Sequence, residues 1–393
     1  MTMLSKHKVL MVTGVYYPEI SGAVLQCRQL INLLKNNIDF RILSGTSSDL
    51  NSVENSVDKI PITRIAINPK CGFSQLASAF RIGQYFIFNC RYFDIVHLHG
   101  FSKKSILVIA LSLLFRKKTI IKLTSFGEDD PISIKNRSAL SWIFFMRANS
   151  FISVSPAFQK SYEAAGLPPD KYWFVPNGVD VLRFRPPVAG ERESLRSELG
   201  FGVDEVILIF IGHFSQEKQP HILYDAWLEL FKKGVKSRII FIGSTSPSNY
   251  EVDVDLVEKI KKDATKSAYS SFVTFIERTH QIEKYLRLSD IFVLPTLREG
   301  LPNVLLEAMA TGLPSIITNL PGVTDWIVED SKTGVLLSPP SKDKLVHELE
   351  DLIADGAGRQ EIGRAAREFI EHNFSAPTMA SKVLQLYHNL SCQ

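Results

Sequence analysis

Short, continuous apolar runs separated by stretches of helix length recur along this chain of 393 residues, in two series with an interruption between them. Strands that are apolar at every position are buried on both faces. That is the condition of a parallel sheet, whose crossover connections lay helices over each side. In the first series the strand candidates are 9–13, 40–44, 62–67, 94–99, 119–125, 151–155 and 172–177. Helices are predicted near 23–36, 75–90, 103–115 and 138–148, and over 156–165, where Ser155 and Pro156 open the segment and Gly166 ends it. The alternation stops at RFRPPVAGERES, residues 183–194, where proline, glycine and charge replace periodicity. It resumes with strands 206–212, 238–243, 272–277, 290–296, 314–318 and 334–338, and helices near 219–233, 253–266, 281–288, 302–311, 342–354 and 360–372. The fold class expected is α/β, with two Rossmann-like, doubly wound domains facing a cleft. Their bounds are 1–182 and 195–375, with 183–194 as linker and 376–393 as a final helix packing back on the first domain. Ligands of such sheets bind beyond the strand C-termini, so both halves are expected to line the site.

Composition narrows the function classes. Lys and Arg number 45 against 41 Asp and Glu, a net charge of +4, too small an excess to imply a nucleic-acid partner without a clustered basic face. The cysteines Cys27, Cys71, Cys90 and Cys392 show no CxxC spacing, which predicts free thiols and no structural zinc. The polar opening 1–8 lacks a signal-peptide core, and a cytoplasmic location is expected. The longest apolar stretch, ILVIALSLLF at 106–115, is half the length a bilayer requires and reads as a buried helix. Its flanks, Lys103, Lys104, Arg116, Lys117 and Lys118, leave open a peripheral contact with an anionic membrane face.

The chemistry concentrates in PTLREGLPNVLLEAMATGLP, residues 295–314. Glu299 falls in a strand-to-helix loop beside Gly300, where helix N–H groups favour a phosphate. Glu307 falls inside a helix that is apolar all round, so its carboxylate needs a partner such as a ligand hydroxyl; the alternatives are a solvated stripe or a structural arginine. In FIGHFSQEKQP, residues 210–220, a buried strand ends at Gly212 and is followed by His213 and Lys218, an order suited to a pyrophosphate. After the first strand, Ser21 and Gly22 open a helix without the GxGxxG of a dinucleotide site. His97 and His99 alternate on one strand and share a face, as packed core residues or with His99, nearer the strand end, reaching the site. The only DxD, at 253–255, opens a helix, and the run Glu128, Asp129, Asp130 reads as a solvated loop, with a metal or acceptor contact as the alternative.

Together these segments resemble the GT-B glycosyltransferases, specifically retaining family 4. The resemblance is carried by Ser21 and Gly22 after the first strand, DIVHLHG (94–100), VPNGVDVLRFRP (175–186), the Gly212-to-Lys218 segment, and the spacing of Glu299 and Glu307. It implies transfer of a sugar from a nucleoside diphosphate donor, UDP or GDP type, to a saccharide or lipid-linked acceptor, with no essential metal or further cofactor. Polysaccharide, lipopolysaccharide or glycolipid synthesis is the implied setting. Lys218 would neutralise the diphosphate and Glu307 hold the ribose hydroxyls. Glu299 would contact the transferred sugar, assisted by backbone N–H groups at Gly300, Leu301 and Asn303. Glu277 and Arg278 would lie beside the base, and Gly22 would let the first-domain loop approach the phosphate.

Two positions depart from the family pattern. His213 stands where arginine is usual, without arginine's planar fork, and Thr124 stands about where many members carry histidine. The alternatives are a sugar-nucleotide 2-epimerase of similar architecture and an inactive nucleotide-sugar-binding subunit.

Overall fold

The computed structural model describes residues 6–19, 21–46, 55–68, 71–246, 252–266, 269–277 and 279–391. The chain divides into two compact units, 1–178 with 376–393, and 179–375.

The first unit carries an eight-stranded sheet: β1 (His7–Thr13), β2 (Ile38–Thr46), β3 (Ser56–Val57), β4 (Ile60–Ala66), β5 (Ile95–His99), β6 (Lys118–Lys122), β7 (Ser150–Ser153) and β8 (Tyr172–Phe174). Their order is β3-β4-β2-β1-β5-β6-β7-β8, parallel except for the edge pair β3 and β4. The helices are α1 (Gly22–Leu34), α2 (Gly72–Asn89), α3 (Lys103–Leu114), α4 (Pro131–Arg137), α5 (Ala139–Phe145) and α6 (Pro156–Ala164), with a terminal helix Ala376–Ser391. The terminal helix presents Met379, Val383, Leu386, Tyr387 and Leu390 to a core shared with Val9, Met11, Leu30 and Ile31. The chain passes so close to its start that a Cβ on Gly178 would lie 2.6 Å from the Ala376 Cα, so glycine is required in VPNGVD for packing.

The helix predicted near 138–148 is α5, and a separate helix that was not predicted, α4, runs up to it. Ser138 adopts an extended conformation (φ −166°) and its hydroxyl accepts from Ser141 N–H, which ends α4 and caps α5. In the acidic run Glu128 is exposed as expected, but the two aspartates are not solvated. Asp129 is buried and accepts from the Thr124 amide (2.9 Å), the Thr124 hydroxyl (2.8 Å) and the Ser125 amide (2.8 Å), while Asp130 caps α4. Helix α3 is buried at Ser105, Val108, Ile109 and Ser112 but leaves Leu113 and Leu114 in solvent. Cys27, Cys71 and Cys90 are free thiols, and Cys392 lies outside the described residues.

The second unit has a six-stranded parallel sheet of β9 (Ile207–Ile211), β10 (Arg238–Ile242), β11 (Val273–Ile276), β12 (Ile291–Leu294), β13 (Ser315–Thr318) and β14 (Val335–Leu337). Around it lie α7 (Glu191–Glu198), α8 (Pro220–Lys232), α9 (Val254–Lys266), α10 (Ile282–Leu288), α11 (Asn303–Ala310), α12 (Lys342–Ala354) and α13 (Gly356–Asn373). Helix α7 begins inside the stretch read as irregular. Its sequence ERESLRSE has no apolar stripe. Charged contacts hold it instead: Arg196 donates to Asp290 (2.6 Å) and to the Leu288 carbonyl (2.9 Å), and Arg287 reaches Glu191 (2.7 Å).

Candidate active site

The second sheet runs β11-β10-β9-β12-β13-β14, so its chain order reverses between β9 and β12. In open parallel sheets the crevice beyond the C-terminal ends of two such strands holds the ligand. Both strands are apolar and buried throughout, which pushes polar chemistry into the loops that follow them.

Beyond β9 the chain turns at Gly212 and passes the partly buried His213 and Lys218. Gln219 then enters the left-handed region (φ 50°), and α8 starts at Pro220 with no side chain capping its N-terminus. A non-glycine residue held at positive φ is strained and is often found at functional sites. Beyond β12 the loop leads through Glu299, Gly300, Leu301 and Pro302 to α11, whose N-terminus also lacks a side-chain cap. Two helix N-termini thus follow neighbouring strands, each with partial positive charge.

The loops are stitched together. Leu297 N–H donates to the Glu217 carbonyl (2.8 Å), the Thr296 hydroxyl to the same oxygen (3.3 Å), and the Arg298 guanidinium to the Glu217 carboxylate (2.6 Å). Lys218 Nζ donates to Glu299 Oε1 at 2.7 Å and lies 3.5 Å from Glu217. Burial draws the Lys218 pKa down, but the Glu299 and Glu217 carboxylates outweigh it and hold the ammonium above the ordinary lysine value. The cation is therefore permanent at neutral pH, and its loop is tied to the β12 loop.

Glu307 lies in the second turn of α11 among Leu305, Leu306, Ala308 and Met309, all buried. Its pKa is raised to about 8. Desolvation is the largest cause, the Arg183 guanidinium opposes it and Glu283 adds to it. Arg183 is itself committed to Glu283 at 2.8 Å. Among the described residues no side chain hydrogen-bonds the Glu307 carboxylate, so the structural-arginine alternative does not apply.

Gly212 and Gly243 end adjacent strands at nearly touching distance: a Cβ on Gly243 would lie 1.8 Å from the Gly212 carbonyl oxygen. Gly243→Ala is expected to lower unfolding stability by about 3 kcal/mol, read from urea denaturation, because a backbone atom rather than a flexible side chain must give way. Glu277 is exposed at the end of β11 and accepts from Thr245 (3.3 Å), whose hydroxyl also takes a bond from Lys261 (2.8 Å). Arg278 lies outside the described residues. Sequence reasoning passed over Gly243, which follows β10, and over Glu217, Gln219 and Arg298, whose one available signal was their place in the same two loops as Lys218 and Glu299.

In the first unit Ser21 caps α1 by accepting from Val24 N–H (3.4 Å), with the exposed Gly22 as the first helical residue. His97 and His99 stack at 4.7 Å, and His97 Nδ1 meets the Tyr387 hydroxyl at 2.7 Å. Both rings are buried, which depresses their pKa values, that of His97 to about 3. They are neutral at physiological pH. His97 is a core residue, whereas neither ring nitrogen of His99 has a partner among the described residues. Asp253 caps α9 through Leu256 N–H (3.1 Å), a structural use of the DxD.

Residues 191–369 match the family described as glycosyl transferases group 1, and residues 20–183 match glycosyltransferase family 4. Spore coat protein SA of Bacillus subtilis is 30% identical over 222 residues, 54% of this chain and 57% of that protein. Alpha-maltose-1-phosphate synthase of Mycolicibacterium smegmatis is 27% identical over 255 residues, 62% of this chain and 64% of that protein. The chain thus spans less than two thirds of the length of these relatives. The solved structure of Anabaena HepE in complex with UDP-glucose superposes with a TM-score of 0.77 at 19% identity, over 98% of this chain and 100% of that one. That likeness establishes the GT-B fold, two parallel α/β sheets of eight and six strands. With one family match on each unit and the same fold throughout, the chain belongs to the family 4, group 1 glycosyltransferases.

Proposed function

We propose that the chain is a retaining glycosyltransferase that moves a sugar from a nucleoside diphosphate sugar to an acceptor hydroxyl. The observation that carries this is the Lys218–Glu299 pair at the β9/β12 reversal, with Glu307 unpartnered on the helix that follows. The ammonium and the carboxylate neutralise each other at 2.7 Å. A diphosphate entering over the two helix N-termini takes Lys218 as counter-ion, and Glu299 is released to accept hydroxyls of the sugar. Glu307, now ionised, accepts from the ribose hydroxyls. His213 stands beside the phosphate as a hydrogen-bond donor, and the Gly300, Leu301 and Asn303 amides orient sugar and phosphate. Glu277 and Arg278 flank the base.

In the reaction the bond from the anomeric carbon to the diphosphate oxygen breaks, and its electron pair leaves with the diphosphate. The acceptor oxygen bonds to the same face of that carbon, and its proton passes to the departing phosphate oxygen. The main demand on the protein is stabilisation of charge on the leaving group, which Lys218 and the helix N-termini provide. Gly22 and His99 belong to the acceptor-side unit; His99, neutral, offers hydrogen bonds and no charge. A UDP sugar is the first donor to test, since HepE is complexed with UDP-glucose. Polysaccharide or glycolipid assembly is the setting proposed.

Thermal-shift titration with UDP, GDP and ADP tests the donor reading. One nucleoside diphosphate is expected to raise the melting temperature in proportion to the logarithm of its concentration above its dissociation constant. No shift with any of them overturns it.

A further inference from the structure

The first unit exposes an apolar surface that a water-facing domain has no reason to keep. Helix α2 buries Ile82, Tyr85 and Phe86 on one side, yet Phe73, Leu76, Phe80, Ile87 and Phe88 form a second apolar stripe on the other. Positions 73, 76, 80 and 87 share one face at about 3.6 residues per turn. Phe73 is 81% exposed and Phe88 71%. Helix α3 touches both α2 and α5. It adds Leu114 at 72% exposure, and α5 adds Leu140 and Ile143. Single exposed apolar residues are ordinary, but a run of large ones across three adjoining helices marks an interaction surface.

Charge selects the occupant. Helices α2, α3 and α5 contain no acidic residue. Arg81 borders the stripe on α2, Arg116 lies two residues past Leu114, and Arg147 follows Met146, all exposed. Lys103 opens α3, and Lys135 of α4 lies over the Trp142 ring at 5.4 Å. A symmetric pairing of two copies through this face would bring arginine against arginine with no carboxylate to separate them. An anionic lipid surface supplies both what the apolar residues and what the basic residues lack. Among the described residues no helix is long and apolar enough to cross a bilayer, so the contact lies in the interfacial plane.

We infer that α2, with the adjoining ends of α3 and α5, docks this chain on an anionic membrane surface, inserting Phe73, Phe80, Ile87 and Leu114 while Arg81, Arg116 and Arg147 face lipid phosphates. This inference does not depend on the sugar-transfer reading, since none of these residues belongs to the donor site.

The test is co-sedimentation of the full chain with vesicles of phosphatidylcholine alone, or containing about 30 mol% phosphatidylglycerol. Anionic vesicles are expected to pellet the protein at least about tenfold more efficiently, and roughly 1 M salt to reverse most of the gain. The triple variant Phe80→Ser, Ile87→Ser, Leu114→Ser should lose pelleting, and so should Arg81→Glu with Arg147→Glu. Every substituted side chain is solvent-exposed, so unchanged melting temperature and nucleotide-induced thermal shift separate loss of docking from loss of folding. No pelleting with anionic vesicles overturns the inference. So does wild-type pelleting by both variants, or a dimer in light scattering that the triple variant dissolves while vesicles are ignored.

Discussion

Lys218→Ala is expected to lower kcat/KM for sugar transfer at least about 100-fold while the protein stays folded, because the ammonium serves a charge that grows as the diphosphate leaves. Lys218 carries two roles that the variant separates. It neutralises Glu299 at 2.7 Å, and Glu299 is mostly shielded from water. Its removal leaves that carboxylate beside Glu217 without its counter-ion, at a cost in stability of about 1–3 kcal/mol. With donor bound, the loss should fall on kcat as well as on KM, since the interaction strengthens toward the transition state. Lys218→Arg keeps the charge and is expected to recover part of the rate. A variant that retains wild-type kcat/KM removes Lys218 from the mechanism.

Glu307→Gln should have opposite effects on stability and on binding. In the unfolded chain this carboxyl ionises near its ordinary value of 4.5, and in the folded chain at about 8. A raised folded pKa for an acid means that the folded state holds the proton longer. Stability is therefore lost as pH climbs from about 4.5 to about 8 and is constant above that window. Glutamine removes the penalty, so the variant without donor should be more stable than wild type by up to about 4 kcal/mol at pH 8 and show almost no gain near pH 4.5. Donor binding moves the other way. Ribose hydroxyls donate to an ionised carboxylate, so in the wild type binding expels a proton and affinity rises as pH rises from about 6 to about 8. Glutamine should flatten that profile and weaken binding about 10- to 100-fold at pH 8, the worth of hydrogen bonds to a charged acceptor. Equal affinity and an equal pH profile in both proteins would remove Glu307 from the ribose site.

The strands were legible because burial on both faces leaves no room for ambiguity: ILIFI of β9 and IFVL of β12 are apolar at every position. Glu299 and Glu307 stood out for the same reason, as carboxylates next to segments with no tolerance for charge. Long-range electrostatic commitments were not legible. Helix α7 depends on Arg196 finding Asp290 across 94 residues of sequence, and nothing local announces it. The same holds for Glu217, whose backbone carbonyl ties the β9 loop to Leu297 and Thr296. Asp129 read as solvated because loop carboxylates usually are, but here it is spent on the Thr124 and Ser125 amides. The apolar face of α2 was missed because periodicity locates a helix without counting how many of its faces have partners.

The central claim is that the second unit binds a nucleoside diphosphate sugar through Lys218, and calorimetric titration of UDP-glucose into the wild-type protein and Lys218→Ala tests it most directly. The expected result is one site per chain in the wild type and at least about tenfold weaker binding in the variant, whose melting transition remains cooperative. Identical binding isotherms for the two proteins would contradict it.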